Sequence, residues 1–335
     1  AGVAGVLDLV AMLRWVRDNA EAFGGDPNNV MIYGQSGGGS KASTLYSIPS
    51  ARGLLHRAAV QSGSALKLTE RAQGAEAASR MLAELGLTRR NIADIQKLPM
   101  EQILNAQRRL SEANPAVGFA PVVDGKVVPR HPFHPTAPEI SRDIPMMIGT
   151  TLHDAGLREK DFDLSEDGLR AYVRREFGEK GDKVLAAYRK VDSRSTPYLL
   201  KARIMTDRNQ RVRAETQAER KAAQGGAPVW LYRFDWPSPA FGGKFGSAHG
   251  AEVEFTFHNQ RGLMAGNTPE AMKMADRIAA TWVAFARNGN PNHSGIPNWP
   301  AFDLQRRATM IFDNKSRVES APDRDLVAMV ATPIT

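Results

Sequence analysis

Hydrophobic positions along the chain follow two spacings, one typical of helices and one typical of buried strands. In residues 7–23 the apolar side chains recur every three or four positions, which predicts a helix, and Gly24 and Gly25 end it. Elsewhere the apolar residues form short uninterrupted runs, as in strands that are covered on both faces of a parallel sheet. Five such runs are predicted as strands: residues 30–33, 57–61, 144–149, 229–234 and 309–312.

Helical spacing returns between these runs, so strands and helices alternate, and the predicted fold class is α/β with a mostly parallel sheet. The longer helical stretches are 70–112, interrupted at Gly86 and Pro99, then 198–224 and 269–287. Residues 119–129 are predicted to form an extended hairpin that turns at Asp124-Gly125. Because no linker or repeat is visible, residues 1–335 are interpreted as a single domain in which 65–112 is a helical insertion.

Composition excludes several classes of protein. The 335 residues are 42% hydrophobic and 24% charged, which is typical of a globular chain. No apolar run approaches the roughly 20 residues of a membrane-spanning helix. Cysteine is absent, which excludes disulfide frameworks and thiol nucleophiles and leaves an exported and a cytoplasmic location equally compatible with the chain. The net charge of +8 comes from dispersed residues with acids between them, which favours a solvated surface over a nucleic-acid site.

The strongest chemical motif lies where the first predicted strand passes into a helix. Gly34-Gln35-Ser36-Gly37-Gly38 matches the pattern G-x-S-x-G, in which glycines allow a sharp turn and leave the serine hydroxyl exposed at the end of the strand. The helix predicted for residues 40–48 directs its free N–H groups to the same place. A strand, a glycine-rich turn and a helix also describe a phosphate-binding loop. However, the lysine of that motif, here Lys41, is out of register by one residue.

The residues that could activate Ser36 are predicted from their order along the chain. A serine nucleophile needs a histidine base, the histidine needs a carboxylate, and hydrolases with this motif place the acid before the histidine. Of the seven histidines, His249 is the best candidate, because it lies in a glycine-rich loop after the fourth predicted strand. Asp154 is the best candidate for the acid, because it follows the third predicted strand and so lies at the same sheet edge as the serine. Glu159 and Asp163 are weaker alternatives.

Longer blocks of sequence surround these residues. GGDPNNVMIYGQSGGG contains Ser36, RGLLHRAAVQSGS contains Ser62, IGTTLHDAG contains Asp154, and GSAHGAEVEFTF contains His249, with FAPVVDGKVVP and WVAFARNGNPN as further blocks. In this order the blocks resemble the type-B carboxylesterases, the cholinesterase-like branch of the α/β-hydrolases, over nearly the whole chain. The resemblance implies the α/β-hydrolase fold, with the serine as nucleophile, the aspartate as acid and the histidine as base. It also implies that Ser62 lies near the acid.

The chain departs from that family beside the serine and at the acid. The family usually has glutamate at both positions, where this chain has Gln35 and Asp154. Because aspartate is one methylene shorter than glutamate, the acid loop is expected to approach His249 more closely. The family's glutamate before the serine helps hold cationic substrates, so Gln35 argues against choline esters.

The resemblance begins where a family member would have passed its first third. The family's glycine-rich H-G-G-G loop, which supplies N–H groups to the oxyanion hole, is not found in residues 1–335, whereas Gly37 follows the serine as in the family. The expectation is therefore a C-terminal part of an enzyme, with an incomplete oxyanion hole and an open edge at strand 30–33. The partner expected at that edge is the N-terminal segment of the same enzyme.

Together these features predict a serine carboxylic-ester hydrolase with a Ser-His-Asp triad and an acyl-enzyme intermediate. The expected partner is a small-molecule ester, with no metal or organic cofactor, no nucleic acid and no membrane span. Gly37 is expected to donate to the oxyanion, and Gln35 and Ser62 to surround the triad. The alternative is a non-catalytic cholinesterase-like binding or adhesion module, or an inactive fragment. Such modules typically lose the serine or the histidine, and this chain has both.

Overall fold

A computed structural model describes residues 2–114, 118–260 and 264–334, and its strands form one six-stranded sheet in the order β1-β2-β3-β4-β5-β6. Strands β1 to β5 are parallel, and β6 is antiparallel to β5. The predicted α/β class with a mostly parallel sheet is therefore confirmed. The strands are β1 (Met31–Gln35), β2 (Arg57–Gln61), β3 (Met146–Thr151), β4 (Val229–Phe234), β5 (Ala308–Phe312) and β6 (Arg317–Ser320).

Helices connect the strands and cover both faces of the sheet. Within the described ranges, no helix is both long enough and apolar enough to span a membrane. The α-helices are α1 (Ala4–Asn19), α2 (Gly37–Leu45), α3 (Arg71–Glu84), α4 (Met100–Ala113), α5 (Glu166–Phe177), α6 (Gly181–Val191), α7 (Pro197–Thr206), α8 (Val212–Ala223), α9 (Val253–Thr256), α10 (Pro269–Asn288) and α11 (Arg324–Val330).

The helical stretches predicted from sequence are present, with internal breaks. The stretch 70–112 consists of α3, a 3₁₀ segment Arg89–Lys97 and α4, and it lies between β2 and β3. The long helix predicted for 198–224 is divided into α7 and α8 by a π-helical turn, Asp207–Arg211. That residues 1–335 are a single domain with 65–112 as an insertion stays a prediction.

The hairpin predicted for residues 119–129 is wrong. Val122 forms a parallel bridge with Thr69 instead of pairing with the residues after the turn. The turn itself is present, but the Asp124 carboxylate accepts the N–H groups of Lys126 (3.0 Å) and Val128 (2.9 Å). The N–H groups before the turn are also used elsewhere, because Val122 donates to the Gly2 carbonyl at 3.1 Å and Val123 to the Thr69 carbonyl at 2.9 Å, so no hairpin ladder forms.

The core lies on the two faces of the sheet. Ala58 and Val60 of β2 pack in the cluster under α1, α2 and α8, whereas Ala59 packs in the cluster under α9 and α10. Alternate residues of a strand point to opposite faces, so an uninterrupted apolar run is required at this position. Because β1 to β4 are parallel, their carboxyl ends meet at one edge, and the chain segments that follow them bring the candidate site together there.

Candidate active site

Ser36 lies at the sharp turn between β1 and α2. Its φ of 57° and ψ of −119° are unusual for a residue other than glycine, which is typical of a strained turn held by its surroundings. The Ser36 N–H donates to the carbonyl of Gln61 on β2 at 2.8 Å. A Cβ at Gly34 would lie 2.4 Å from the Gly38 carbonyl carbon, and one at Gly63 would lie 2.2 Å from the backbone carbonyl oxygen of Ser36. Glycine is therefore needed at both positions, one within β1 and one just after β2.

Helix α2 starts directly after this serine. It begins at Gly37, and no side chain within the described residues caps its N-terminus. The first N–H groups of an uncapped helix have no intrahelical acceptor and carry the positive end of the helix dipole. The Gly37 N–H therefore belongs to a group of donors that suits an oxyanion beside Ser36.

Asp154 and His249 form a hydrogen-bonded pair at the same edge. The His249 Nδ1 donates to the Asp154 Oδ1 at 2.5 Å. Asp154 is buried, and its other carboxylate oxygen accepts the N–H of Thr151 at 3.2 Å. The hydrogen bond to Asp154 raises the pKa of His249, and burial opposes this effect. The pair thus fixes the tautomer that leaves Nε2 as the acceptor.

The Nε2 of His249 faces the side chain of Gln35. The Gln35 amide nitrogen is 3.0 Å from this atom, so the amide donates to the lone pair that remains on the imidazole. Since Gln35 precedes the serine, the contact places the imidazole beside the turn that carries Ser36. The alternative acid Glu159 lies elsewhere, because its carboxylate pairs with Lys201 at 2.6 Å. Among the described residues, Asp163 forms no hydrogen bond to His249.

Ser62 lies between the turn of the serine and the loop of the acid. It directly follows β2, and its N–H donates to the carbonyl of Gly149 on β3 at 2.8 Å. Its hydroxyl is buried and has no hydrogen-bond partner within the described residues. The structure therefore places Ser62 at the predicted sheet edge with an unused polar group.

Two titratable residues at this edge were missed by the sequence reasoning, Glu252 and His153. Glu252 is buried, and burial, reinforced by the charge of Asp154, raises its pKa to about 7. Because Glu252 follows His249 by only three residues, its position in the sequence could have identified it as a candidate. His153 adjoins the acid, but nothing in its sequence position shows that its ring contacts the loop of the base.

The arrangement combines a strained serine, an imidazole whose Nε2 faces the residue before that serine, and uncapped helix N–H groups. These are the parts needed to deprotonate an alcohol and to stabilise an oxyanion. In the described parts of the chain, no group of three or more His, Asp or Glu side chains is placed to hold a metal ion. A serine turn, an acid and a histidine in this chain order, on a mostly parallel sheet, define the α/β-hydrolase fold.

Comparison with known proteins gives the family. The model of the carboxylesterase family matches residues 1–329. The chain belongs to the carboxylesterase family, and the resemblance noted in the sequence is confirmed.

Individual relatives cover most of this chain. Para-nitrobenzyl esterase of Bacillus subtilis (strain 168) is 32% identical over 334 residues, which are 96% of this chain and 66% of that protein. Phenmedipham hydrolase of Pseudarthrobacter oxydans is 29% identical over 320 residues, 91% of this chain and 63% of that protein. The crystal structure of a Geobacillus stearothermophilus carboxylesterase at pH 6.2 has a TM-score of 0.80 and 33% identity, covering 97% of this chain and 68% of its own. The chain thus spans slightly less than two thirds of the length of the two curated relatives.

Proposed function

We propose that this chain carries the nucleophile, base and acid of a serine carboxylic-ester hydrolase. The observation that carries the proposal is the 2.5 Å hydrogen bond between His249 and Asp154 at the sheet edge where the strained Ser36 lies. Relatives named as an esterase and a carboxylesterase support the same reaction class.

The proposed reaction passes through an acyl-enzyme. The Ser36 oxygen attacks the ester carbonyl carbon while His249 Nε2 takes the hydroxyl proton, and Asp154 stabilises the imidazolium. The imidazolium then protonates the leaving alcohol as the ester C–O bond breaks. Water, deprotonated by the same imidazole, attacks the acyl-serine and releases the carboxylic acid. The Gly37 N–H donates to the oxyanion in both halves, and such a donor contributes about 3–4 kcal/mol in comparable sites.

Gln35 has a defined place in this sequence of steps. The neutral imidazole has one lone pair at Nε2, and the Gln35 amide donates to it in the structure. The Ser36 hydroxyl must displace that donor before it can transfer its proton. Gln35 therefore competes with Ser36 in the resting state and, as an uncharged residue, provides no carboxylate for a cationic substrate.

An apolar cavity that begins at Gly37, directly after the serine, is the proposed space for part of the substrate. Its volume is about 720 Å³. Its walls come from α1, α2 and α3 and from the segments near Ile92 and Phe119. This lining suits the uncharged acyl or alcohol part of a small-molecule ester, with the helices of residues 65–112 forming one wall.

The proposal includes a strand partner for β1. Within the described residues β1 pairs on one side only, with β2, and Tyr33 on it is 40% exposed. A parallel strand from the N-terminal segment of a family member would cover this edge and bring further N–H groups to the oxyanion. Co-expression of such a segment is expected to raise ester turnover, and turnover that does not respond would contradict this part of the proposal.

The test is covalent labelling of Ser36 by a fluorophosphonate probe, together with turnover of p-nitrophenyl butyrate. We expect the probe to label Ser36, as located by peptide mass spectrometry, and expect Ser36→Ala to abolish both labelling and turnover. Ser79→Ala, on the exposed side of α3, is the matched control and should change neither. Labelling of a different serine, or full turnover by Ser36→Ala, would refute the assignment. A chain that is neither labelled nor active would favour the alternative, a non-catalytic binding or adhesion module or an inactive fragment.

A further inference from the structure

The acid and the base lie on two separate loops that must be held in register. Asp154 follows β3 closely, but His249 lies at the end of the long segment 235–248 after β4. A long loop loses entropy when it is ordered, so specific contacts are needed to fix its end. His153, which adjoins the acid, supplies such contacts.

Both backbone polar groups of Ser247, its N–H and its carbonyl, form hydrogen bonds with His153. The His153 N–H donates to the Ser247 carbonyl at 3.0 Å, and the Ser247 N–H donates to the His153 ring Nδ1 at 3.1 Å. His153 also forms a parallel bridge with Ala248. Residues 153 and 247–248 therefore pair immediately beside Asp154 and His249.

The loop of the base is shaped around the imidazole of His153. Gly246 has a φ of +56°, and a Cβ there would lie 2.6 Å from the His153 Nδ1. The same glycine accepts the N–H of Ser238 at 3.0 Å, and the Ser247 hydroxyl donates to the Trp236 carbonyl at 2.8 Å. The ring thus occupies a space that only a glycine-containing loop leaves open.

The contact requires an unprotonated Nδ1, because a protonated ring nitrogen cannot accept a hydrogen bond. Burial lowers the pKa of His153 to about 4, so its ring is neutral well above that pH. Its Nε2 carries the proton and has no hydrogen-bond partner within the described residues. The charged groups that face the ring are Arg203, Asp235, Asp192 and Arg233.

We propose that His153 is a positioning residue, a neutral imidazole whose Nδ1 holds the loop of His249 in register with Asp154. This inference rests on the proposed function, because it assigns His153 a role in the same triad. Without the acceptor, the Ser247 N–H is left unpaired in a buried place and the loop shifts to satisfy it. The hydrogen bond between Asp154 and His249 then lengthens.

Three variants separate positioning from simple packing. His153→Leu fills the space without an acceptor, whereas His153→Asn places its side-chain oxygen where Nδ1 was. We expect the leucine variant to lower kcat by up to about 10²-fold with little change in KM, and the asparagine variant to restore most of it. His56→Leu is the matched control, since the His56 Nδ1 also accepts a backbone N–H, from Val30 at 3.1 Å, but at the opposite end of the sheet.

The decisive readout is the pKa of the His249 ring, measured by NMR titration and assigned by comparison with His249→Ala. It should fall in His153→Leu and stay unchanged in His153→Asn and His56→Leu. An unchanged value in His153→Leu, or equal behaviour of His153→Asn and His153→Leu, would overturn the inference. If thermal unfolding shows that His153→Leu does not fold, His153→Gln replaces it, because its amide reaches past the Nδ1 position.

This titration does not depend on turnover. A shifted His249 pKa in a chain whose probe-labelled serine is not Ser36 would refute the proposed function and leave the contact between His153 and the loop of His249 standing. If Ser36→Ala abolishes turnover but the His249 pKa is unshifted in His153→Leu, the proposed function stands and the positioning role of His153 is refuted.

Discussion

His249 and His153 lie on two paired loops of this protein, and their surroundings shift their pKa values in opposite directions. The pKa of His249 is raised, because its ring donates to Asp154. The pKa of His153 is lowered to about 4, because its ring is buried without a carboxylate partner. The side chain of His249 is 25% exposed, and His153 as a residue is 6% exposed.

The same ring atom has opposite roles in the two residues. Nδ1 of His249 donates to a carboxylate, whereas Nδ1 of His153 accepts from the backbone of Ser247. An imidazole next to a carboxylate can hold a second proton during a reaction, and one that must accept a backbone N–H cannot. The difference teaches that the partner of Nδ1 distinguishes the proposed base, His249, from the proposed positioning residue, His153.

Removal of the base gives the largest expected effect. His249→Ala should lower kcat for p-nitrophenyl esters by about 10⁵–10⁶-fold, because nothing else takes the serine proton. His258→Ala is the matched control, since His258 pairs with Asp276 at 2.8 Å but on the surface, and it should leave turnover unchanged. Substantial turnover by His249→Ala would show that the imidazole of His249 is not the base and would remove the contrast with His153.

Neutralising the acid gives the next largest effect. Asp154→Asn should lower kcat by about 10⁴-fold, because an amide neither fixes the tautomer of His249 nor stabilises its imidazolium. The hydrogen bond to Asp154 raises the pKa of His249. In the proposed mechanism the unprotonated imidazole is the active form. Loss of the charge therefore lowers that pKa and moves the acid limb of the kcat/KM profile to lower pH.

Asp276→Asn, in the surface pair with His258, is the control for this change and should leave the profile where it is. If the acid limb of Asp154→Asn stays in place or moves to higher pH, the carboxylate is not the group that sets the pKa of His249. The acid role would then pass to another residue, and the contrast between the two imidazoles would need a different cause.

Much of the fold could be predicted from the sequence where burial alone determines the pattern. The bounds of β2 and β4 agree with the predicted runs, because both strands are covered on both faces. The edge strand β6 was missed, since its end residues Arg317 and Ser320 are exposed, the two between them are only partly buried, and it shows no apolar run. The hairpin was wrongly predicted because the residues before its turn, Val122 and Val123, pair with Gly2 and Thr69, which are distant in sequence.

Some features of the candidate site could be predicted from the sequence and others could not. The turn at Ser36 could be predicted because its strain is encoded by neighbouring glycines. The structure also shows the contact between Asp154 and His249, while the roles of these residues stay predictions. The contact between His153 and Ser247 could not be predicted, because it joins positions 94 residues apart in two irregular loops. The same holds for the Gln35 amide at His249.

The smallest expected effect concerns Glu252, a buried carboxyl three residues after His249. Its titration tests whether burial keeps such a group neutral in this site. Like His153 it is buried, and burial raises its pKa from 4.5 to about 7. Between these values the unfolded chain releases the proton while the folded chain keeps it. The folded state binds more protons, so this carboxyl makes the free energy of unfolding fall as pH rises from 4.5 to about 7.

Glu252→Gln keeps the shape of the side chain and removes this titration. From about pH 5 to about pH 8, the free energy of unfolding of the variant should rise relative to the unchanged chain by up to about 3 kcal/mol. Urea unfolding at several pH values measures the difference, and Glu139→Gln on the surface serves as the control. Parallel curves for Glu252→Gln and the unchanged chain would mean that Glu252 is ionised in the folded protein. In that case burial at this site would not be strong enough to keep a group neutral, and it would not explain a neutral His153. The contrast between His153 and His249 would then depend only on the partner of each Nδ1.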